Sequence, residues 1–293
     1  MAGGYVEVSW SCPCDGYDTV SIVPAGAPDN VGGNFVYANA STPARILAPE
    51  QAGQYEIRYW DVVSSSFTAR RGLTVTPMKP VTLQAPATAV PGSKISVSWT
   101  GPGNYDDHFV VVLVGTGEHD EPIERTWIHE SPSSVLIPGT PGEYEIRYQT
   151  GQTSSTLARS KLTVTDTAAT LRAPAEAVAG RSVEVTWTGP GNGYDTIAIV
   201  RKGAPENTSS DFYRFVTAGS PLRVETPPTA GEYELRYLMA ARNYDTLARA
   251  ELRVTPAKEE PGFVRVTSSR EANAAGGAVE LILDTSGSML QRM

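Results

Sequence analysis

Gly-Gln-Tyr-Glu-Ile-Arg-Tyr at residues 53–59 returns as Gly-Glu-Tyr-Glu-Ile-Arg-Tyr at 142–148 and as Gly-Glu-Tyr-Glu-Leu-Arg-Tyr at 231–237. Tyr55, Tyr144 and Tyr233 lie 89 residues apart at each step (144 − 55 and 233 − 144), and Trp10, Trp99 and Trp187 follow at 89 and then 88. A fixed period of that size means one supersecondary unit present three times, which determines domain count and boundaries before propensity is consulted.

Within each copy the strand signal is alternation of apolar and polar residues. Val183, Val185 and Trp187 point one way and Glu184 and Thr186 the other, as do Val6, Val8 and Trp10 in the first copy and Ile95, Val97 and Trp99 in the second. A Gly/Pro/Asn turn leads to a second run, Thr19–Val23 or Thr196–Val200, and the chain then breaks near Gly203-Ala204-Pro205. An aromatic segment at 211–215, a short strand ending at Pro227, the repeated Tyr strand and a closing strand at 247–254 complete the unit. About seven strands with turn chemistry between them predict an antiparallel β-sandwich.

The first copy differs at its start. Thr82-Leu83-Gln84-Ala85-Pro86 and Thr170-Leu171-Arg172-Ala173-Pro174 open the other two copies, whereas Met1-Ala2-Gly3 stands where the third copy has Val178-Ala179-Gly180. The expectation is a first domain without its first strand, in a sequence that starts inside a domain.

Composition excludes several roles. The chain has 293 residues, 40% of them hydrophobic and 19% charged, sufficient for a core in each of several domains. A net charge of −8 works against nucleic-acid binding, which depends on Lys and Arg releasing counterions. No apolar run approaches the ~20 residues that span a bilayer. The N-terminus, Met-Ala-Gly-Gly-Tyr-Val-Glu-Val, has no signal-peptide pattern.

Gly-x-Tyr-x-(Ile/Leu) resembles the tyrosine corner on strand F of immunoglobulin-like domains. Antibody domains place a core Cys two residues beyond that Tyr; here Ile57, Ile146 or Leu235 occupies the position, and the recurring Trp lies on strand B rather than strand C. The resemblance therefore implies the broad immunoglobulin-like class without an inter-sheet disulfide.

Polar residues add little chemistry in the repeats. Cys12 and Cys14 flank Pro13 in a loop where the other copies have glycines; two ligands are too few for zinc, so a variable loop tip or a local disulfide is expected. His108, His119 and His129 all belong to the second copy, and Glu118-His119-Asp120-Glu121 reads as a solvated acidic loop. Glu56 with Arg58, Glu145 with Arg147 and Glu234 with Arg236 alternate with the core Tyr and Ile and are expected on an outer, solvated face, paired with Arg70, Arg159 and Arg249. Tyr17-Asp18, Tyr105-Asp106 and Tyr194-Asp195 fit Asx-type turns. There is no phosphate loop, nucleophile elbow or zincin helix, and no catalytic residue is assigned.

After Lys258-Glu259-Glu260-Pro261-Gly262 the sequence reads Ala278-Val279-Glu280-Leu281-Ile282-Leu283, a buried-strand pattern, and runs into Asp284-Thr285-Ser286-Gly287-Ser288-Met289. This resembles the first strand and metal-ion-dependent adhesion site, Asp-x-Ser-x-Ser, of von Willebrand factor type A domains. The resemblance implies Asp284, Ser286 and Ser288 as ligands of Mg²⁺, a carboxylate and two hydroxyls suited to a hard cation. It covers about 30 residues of an α/β domain that needs on the order of 100 to 200, and the family's later ligands are absent, so this chain is expected to bind Mg²⁺ weakly or not at all.

The sequence thus predicts an all-β chain with an incomplete α/β stub: immunoglobulin-like sandwiches at 1–77, 80–166 and 168–256, and the start of a von Willebrand type A domain at 263–293. Short linkers imply a semi-rigid stalk. The expected role is non-enzymatic presentation of a metal-dependent ligand-binding or adhesion head to a protein partner, placed by resemblance to exported bacterial proteins at the cell surface or in the periplasm. Rival readings are a type A adaptor for an intracellular ATPase complex and direct binding of a peptide or glycan by the repeats, for instance by strand addition at the open edge of the first copy.

Overall fold

The computed structural model describes residues 1–12, 16–208 and 210–257; the predicted type A segment at 263–293, with Asp284, Ser286 and Ser288, lies outside them. The first repeat comprises β1 (Tyr5–Val8), β2 (Thr19–Pro24), β3 (Asn34–Tyr37), β4 (Ala44–Leu47), β5 (Gly53–Asp61) and β6 (Ser66–Val75). The second comprises β7 (Thr82–Gln84), β8 (Thr88–Ala89), β9 (Lys94–Thr100), β10 (His108–Leu113), β11 (Glu124–Trp127), β12 (Ser133–Leu136), β13 (Gly142–Gln149) and β14 (Thr156–Val164). The third comprises β15 (Thr170–Arg172), β16 (Glu176–Val178), β17 (Ser182–Thr188), β18 (Thr196–Arg201), β19 (Tyr213–Phe215), β20 (Leu222–Glu225), β21 (Gly231–Met239) and β22 (Asp245–Thr255). Among the described residues there is no α-helix, only two single 3₁₀ turns.

Each repeat is a two-sheet sandwich. In the second, a sheet ordered β12-β9-β7 faces one ordered β11-β10-β13-β14-β8, and the third repeats this as β15-β17-β20 against β16-β22-β21-β18-β19. Alternation places Val97 and Val185 in the core from one sheet and Phe109, Val111, Ile197 and Ile199 from the other. The architecture is all-β and immunoglobulin-like. The pairing is not wholly antiparallel, however, because β8 runs parallel to β14 and β16 parallel to β22. The cause is a crossing: after pairing with the second strand of its repeat, the opening segment passes Pro86 or Pro174 and finishes along the far edge of the other sheet. Proline, having no N–H to offer a ladder, suits the crossing point.

Among the described residues the first repeat sets β1-β4 against β3-β2-β5-β6. Ser98–Thr100 are strand because Thr82–Gln84 pair with them, and Thr186–Thr188 because Thr170–Arg172 do. The corresponding Ser9–Ser11 have no such partner among the described residues, and β1 stops at Val8. Coverage falls accordingly: Val97 and Val185 are 0% exposed while Val8 is only half-buried, and Leu162 and Leu252 are buried while Leu73 is not fully so.

Candidate functional site

The repeated heptapeptide builds three structural devices on the central strands β5, β13 and β21. The first is the tyrosine corner. Tyr55, Tyr144 and Tyr233 donate their hydroxyls to the carbonyls of Gln51, Thr140 and Thr229, at 3.0, 2.8 and 3.0 Å. The second corrects an expectation from sequence. Arg58, Arg147 and Arg236 do point away from the core Tyr and Ile, but they are 0, 1 and 0% exposed rather than solvated. The loop after β2, β10 or β18 folds across them and turns its carbonyls inward. Arg147 donates to Gly117 at 2.9 Å, to Thr116 at 2.7 Å and to Glu145 at 2.9 Å. Arg236 meets Pro205 at 2.6 Å, together with Ala204 and Glu234, and Arg58 meets Ala27, Pro28 and Glu56. A planar guanidinium with five donors suits a fork of two carbonyls and a carboxylate.

The glutamates of these clamps are also reached from the closing strands. Arg70, Arg159 and Arg249 lie 3.5, 3.1 and 3.1 Å from Glu56, Glu145 and Glu234, the cross-strand pairing expected from sequence. All three carboxyls titrate below the ordinary 4.5: Glu56 chiefly through its bond from Arg58, Glu145 and Glu234 because bonds from their arginines outweigh the opposing effect of burial.

A third device ties the loops at one pole of each sandwich. Tyr59, Tyr148 and Tyr237 donate to Asp18, Asp107 and Asp195 at 2.6, 2.7 and 2.9 Å. The same carboxylates accept the backbone N–H of Val62, Gly151 and Ala240 from the loop before the closing strand. In the second repeat the tying residue is Asp107, not Asp106, which has a left-handed φ of 67°. Asn104 and Asn192 donate backbone N–H to Asp107 and Asp195, so each carboxylate reaches three residues back rather than two residues on, as an Asx-type turn would. Burial pushes the Asp107 carboxyl and the Tyr148 and Tyr237 phenols up.

This pole of one repeat meets the opposite pole of the repeat before it. The Asn104 carboxamide donates to the carbonyl of Ala2 at 3.4 Å, and Asn192, its counterpart, to that of Pro91 at 2.9 Å. Gln152 donates to Ala48 at 2.8 Å, and its N–H donates to Glu50 at 2.8 Å, alongside Thr150. At the second junction Arg242 donates to the Gly139 carbonyl at 2.7 Å and pairs with Asp166 at 3.0 Å. Gly3 and Gly92, at φ of 69° and 70°, sit beneath these contacts. A Cβ at either would lie 2.5 Å from Asn104 or 2.4 Å from Ala241, so the close approach requires glycine.

The remaining candidates do not converge. Cys12 is in a disulfide, and Cys14 lies outside the described residues. Buried His108 donates Nδ1–H to the Asp106 carbonyl at 2.8 Å and packs edge-on to Trp127. Glu118 accepts the Thr156 N–H, so its carboxylate serves a loop. Among the described residues no cluster of three or more His, Cys, Asp or Glu side chains is arranged to hold a metal ion. A groove of about 790 Å³ along the first junction contains Glu50, already bonded to Thr150, Thr153 and Gln152, with no general acid–base pair beside it. On the outer strands, Phe35 with Tyr37 and Tyr213 with Phe215 form exposed edge-to-face ring pairs with centroids 5.6 Å apart.

No family model matches the chain, and no curated protein matches it. Solved structures do. The FN1–FN3 domains of chicken CNTN1 are 9% identical, over 87% of this chain and 96% of that one, with a TM-score of 0.27. Three N-terminal domains of the outer capsid protein Hoc of bacteriophage RB49 are 11% identical over 88% and 96%, with a TM-score of 0.24. Sidekick-1 immunoglobulin domains 1–5 are 11% identical over 82% and 52%, with a TM-score of 0.29. At these values the fold rests on the strand order and register of the chain itself: tandem immunoglobulin-like β-sandwiches.

Proposed function

We propose that this chain is a non-enzymatic modular stalk. The observation that carries this reading is the recurring junction, in which an asparagine carboxamide bonds a carbonyl of the preceding repeat beside a left-handed glycine. Side-chain bonds across both junctions restrict the angle between neighbours, which a flexible linker alone does not. The buried Arg58, Arg147 and Arg236 and the buried Asp18, Asp107 and Asp195 serve clamps and ties within each repeat, which supports a structural role for the repeats.

The load at the far end is the von Willebrand type A segment implied by the sequence at 263–293. There Asp284, Ser286 and Ser288 would be the first Mg²⁺ ligands, in a head that binds a protein partner through an acidic group at the cell surface or in the periplasm. A carboxylate with two hydroxyls fits a hard cation. Calorimetry on this chain is expected to show weak Mg²⁺ binding or none, and tight, Asp284-dependent binding would contradict that.

Stiffness is tested with spin labels at Val63→Cys and Arg223→Cys, both exposed in the first and third repeats. The expected distance distribution is narrow, and Asn104→Ala with Asn192→Ala broadens it. A broad distribution in the parent chain would remove the basis for a stalk.

A further inference from the structure

We propose that the outer face of the third repeat carries a saccharide-binding groove, which takes one pyranose ring of an uncharged glycan. The groove holds about 210 Å³ between β18, β19, the loop carrying Asn207 and Thr208, and the turn that joins β21 to β22. Pockets that enclose a whole drug-sized ligand run to ~300–1,000 Å³, so this one seats a single ring while the rest of a longer molecule stays outside.

The sheet supplies the floor and one wall. Thr196 and Ala198 lie opposite Phe215 and Tyr213 in the β18–β19 ladder, and Thr196 faces Leu238 on its other side. Tyr213 and Phe215, two apart on one strand, turn their rings to the same face, where they are 40 and 41% exposed. The opposite wall is Tyr244, and its backbone sets it apart. The turn before the closing strand has a left-handed residue in every repeat: Ser65 at φ 50°, Ser154 at 55° and Tyr244 at 62°. A small serine meets that geometry in the first two repeats, and a bulky residue at positive φ is uncommon. The turn therefore does not account for the tyrosine, whereas a third ring on the groove does.

Chemistry selects the occupant. Among the described residues, every side chain lining the groove is uncharged, in a chain of net charge −8. An ionic ligand would lose hydration there without a counter-charge. A pyranose has a face of C–H groups, which suits the electron-rich face of an aromatic ring, and a rim of hydroxyls that both donate and accept. Tyr213, Phe215 and Tyr244 offer the rings, and Asn207, Thr208 and Thr196 offer groups that also donate and accept. Thr196 is 5% exposed, yet its hydroxyl has no hydrogen-bond partner among the described residues. A proline-rich segment, another occupant of aromatic grooves, brings carbonyls but no N–H from its prolines, and so matches these groups only in part. The other repeats differ at this place. His108 replaces Thr196 and packs on Trp127, while Gln149 replaces Leu238 and donates to the Glu118 carbonyl. In the first repeat Asp29 brings a charge to the corresponding groove.

This inference concerns binding at the third repeat and does not depend on the stalk reading. The full chain is titrated calorimetrically with hexasaccharides of glucose, mannose, galactose and N-acetylglucosamine, with a galacturonic acid hexamer and decaproline alongside. Expected is saturable binding of at least one neutral hexasaccharide at one site per chain, with hydrogen-exchange protection at β19 and at 240–244. Tyr244→Ser, which installs the residue that the other repeats carry, raises Kd at least about fivefold, the loss of one ring contact. Thr196→Val raises it by about the same factor without lowering Tm, because no hydrogen bond is removed from the free protein. The proposal is overturned if none of the neutral hexasaccharides binds, if the galacturonic acid hexamer or decaproline binds as tightly, if protection falls on the first or second repeat instead, or if either variant binds like the parent chain.

Discussion

The first and third repeats carry the same central phrase and the same clamp, yet their cores differ. Arg58 and Arg236 are equally buried against equivalent carbonyls. Val185 lies on the central strand of a three-stranded sheet, while Val8 ends one strand of a sheet that has two among the described residues. Local devices made by one strand and one loop therefore survive without the opening strand, whereas coverage of the core does not. The clamp depends on neighbours about 30 residues away, and the core on every layer above it.

That contrast is open to attack at three strengths. The strongest is Arg236→Met, which leaves two inward carbonyls unpaired and is expected to destabilise the third repeat by about 3–5 kcal/mol. Native-state hydrogen exchange at β21 measures it, and Arg58→Met read at β5 should give a similar loss. A much smaller loss at Arg58 would mean that the clamp, too, depends on the pairing that Ser98–Thr100 and Thr186–Thr188 have and Ser9–Ser11 lack among the described residues. The next pair is Val185→Ala and Val8→Ala. The first is expected to cost about 2 kcal/mol and the second about half that, since less surface is removed from the interior. Equal losses in denaturant titrations would show that the first repeat is as well covered as the third.

The smallest effect is that of acid. Glu56, Glu145 and Glu234 titrate below their ordinary value when folded, so their contribution is complete above pH 4.5 and is lost as pH falls through the folded values. Asp107 has the opposite sign. Its carboxyl is raised above the ordinary 3.8 by burial, so protonation favours the folded second repeat as pH falls through that raised value. Melting curves between pH 7 and pH 3 should therefore show the second repeat declining later than the third, and Asp107→Ala should remove the lag.

Much of this was readable from the chain alone, for reasons that can be located. Val183-Glu184-Val185-Thr186-Trp187 alternates cleanly, and a threefold copy turns weak strand signals into aligned ones, so sheets and corners were visible. The fate of Arg58, Arg147 and Arg236 was not. Alternation states which face of a strand a side chain occupies, not whether a loop will cover that face. The covering loops are marked by Gly26-Ala27-Pro28, Gly115-Thr116-Gly117 and Gly203-Ala204-Pro205, each about 30 residues before its arginine. Gly203-Ala204-Pro205 reads as a break, and nothing in the three triplets shows that their carbonyls turn inward. The tie between Tyr148 and Asp107 was hidden similarly, since adjacency drew attention to Tyr105-Asp106 while the true partner came from another strand.

Gly180 keeps the left-handed φ of 66° seen at Gly3 and Gly92, but among the described residues nothing lies within 4 Å of where its Cβ would be. The second and third repeats each bring a carboxamide to one end, and all three present the receiving corner at the other. A recombination event that inserts one more such unit would thus deliver both halves of a working junction at once. On the proposed stalk reading, reach would then change in whole repeats, without a new contact surface each time.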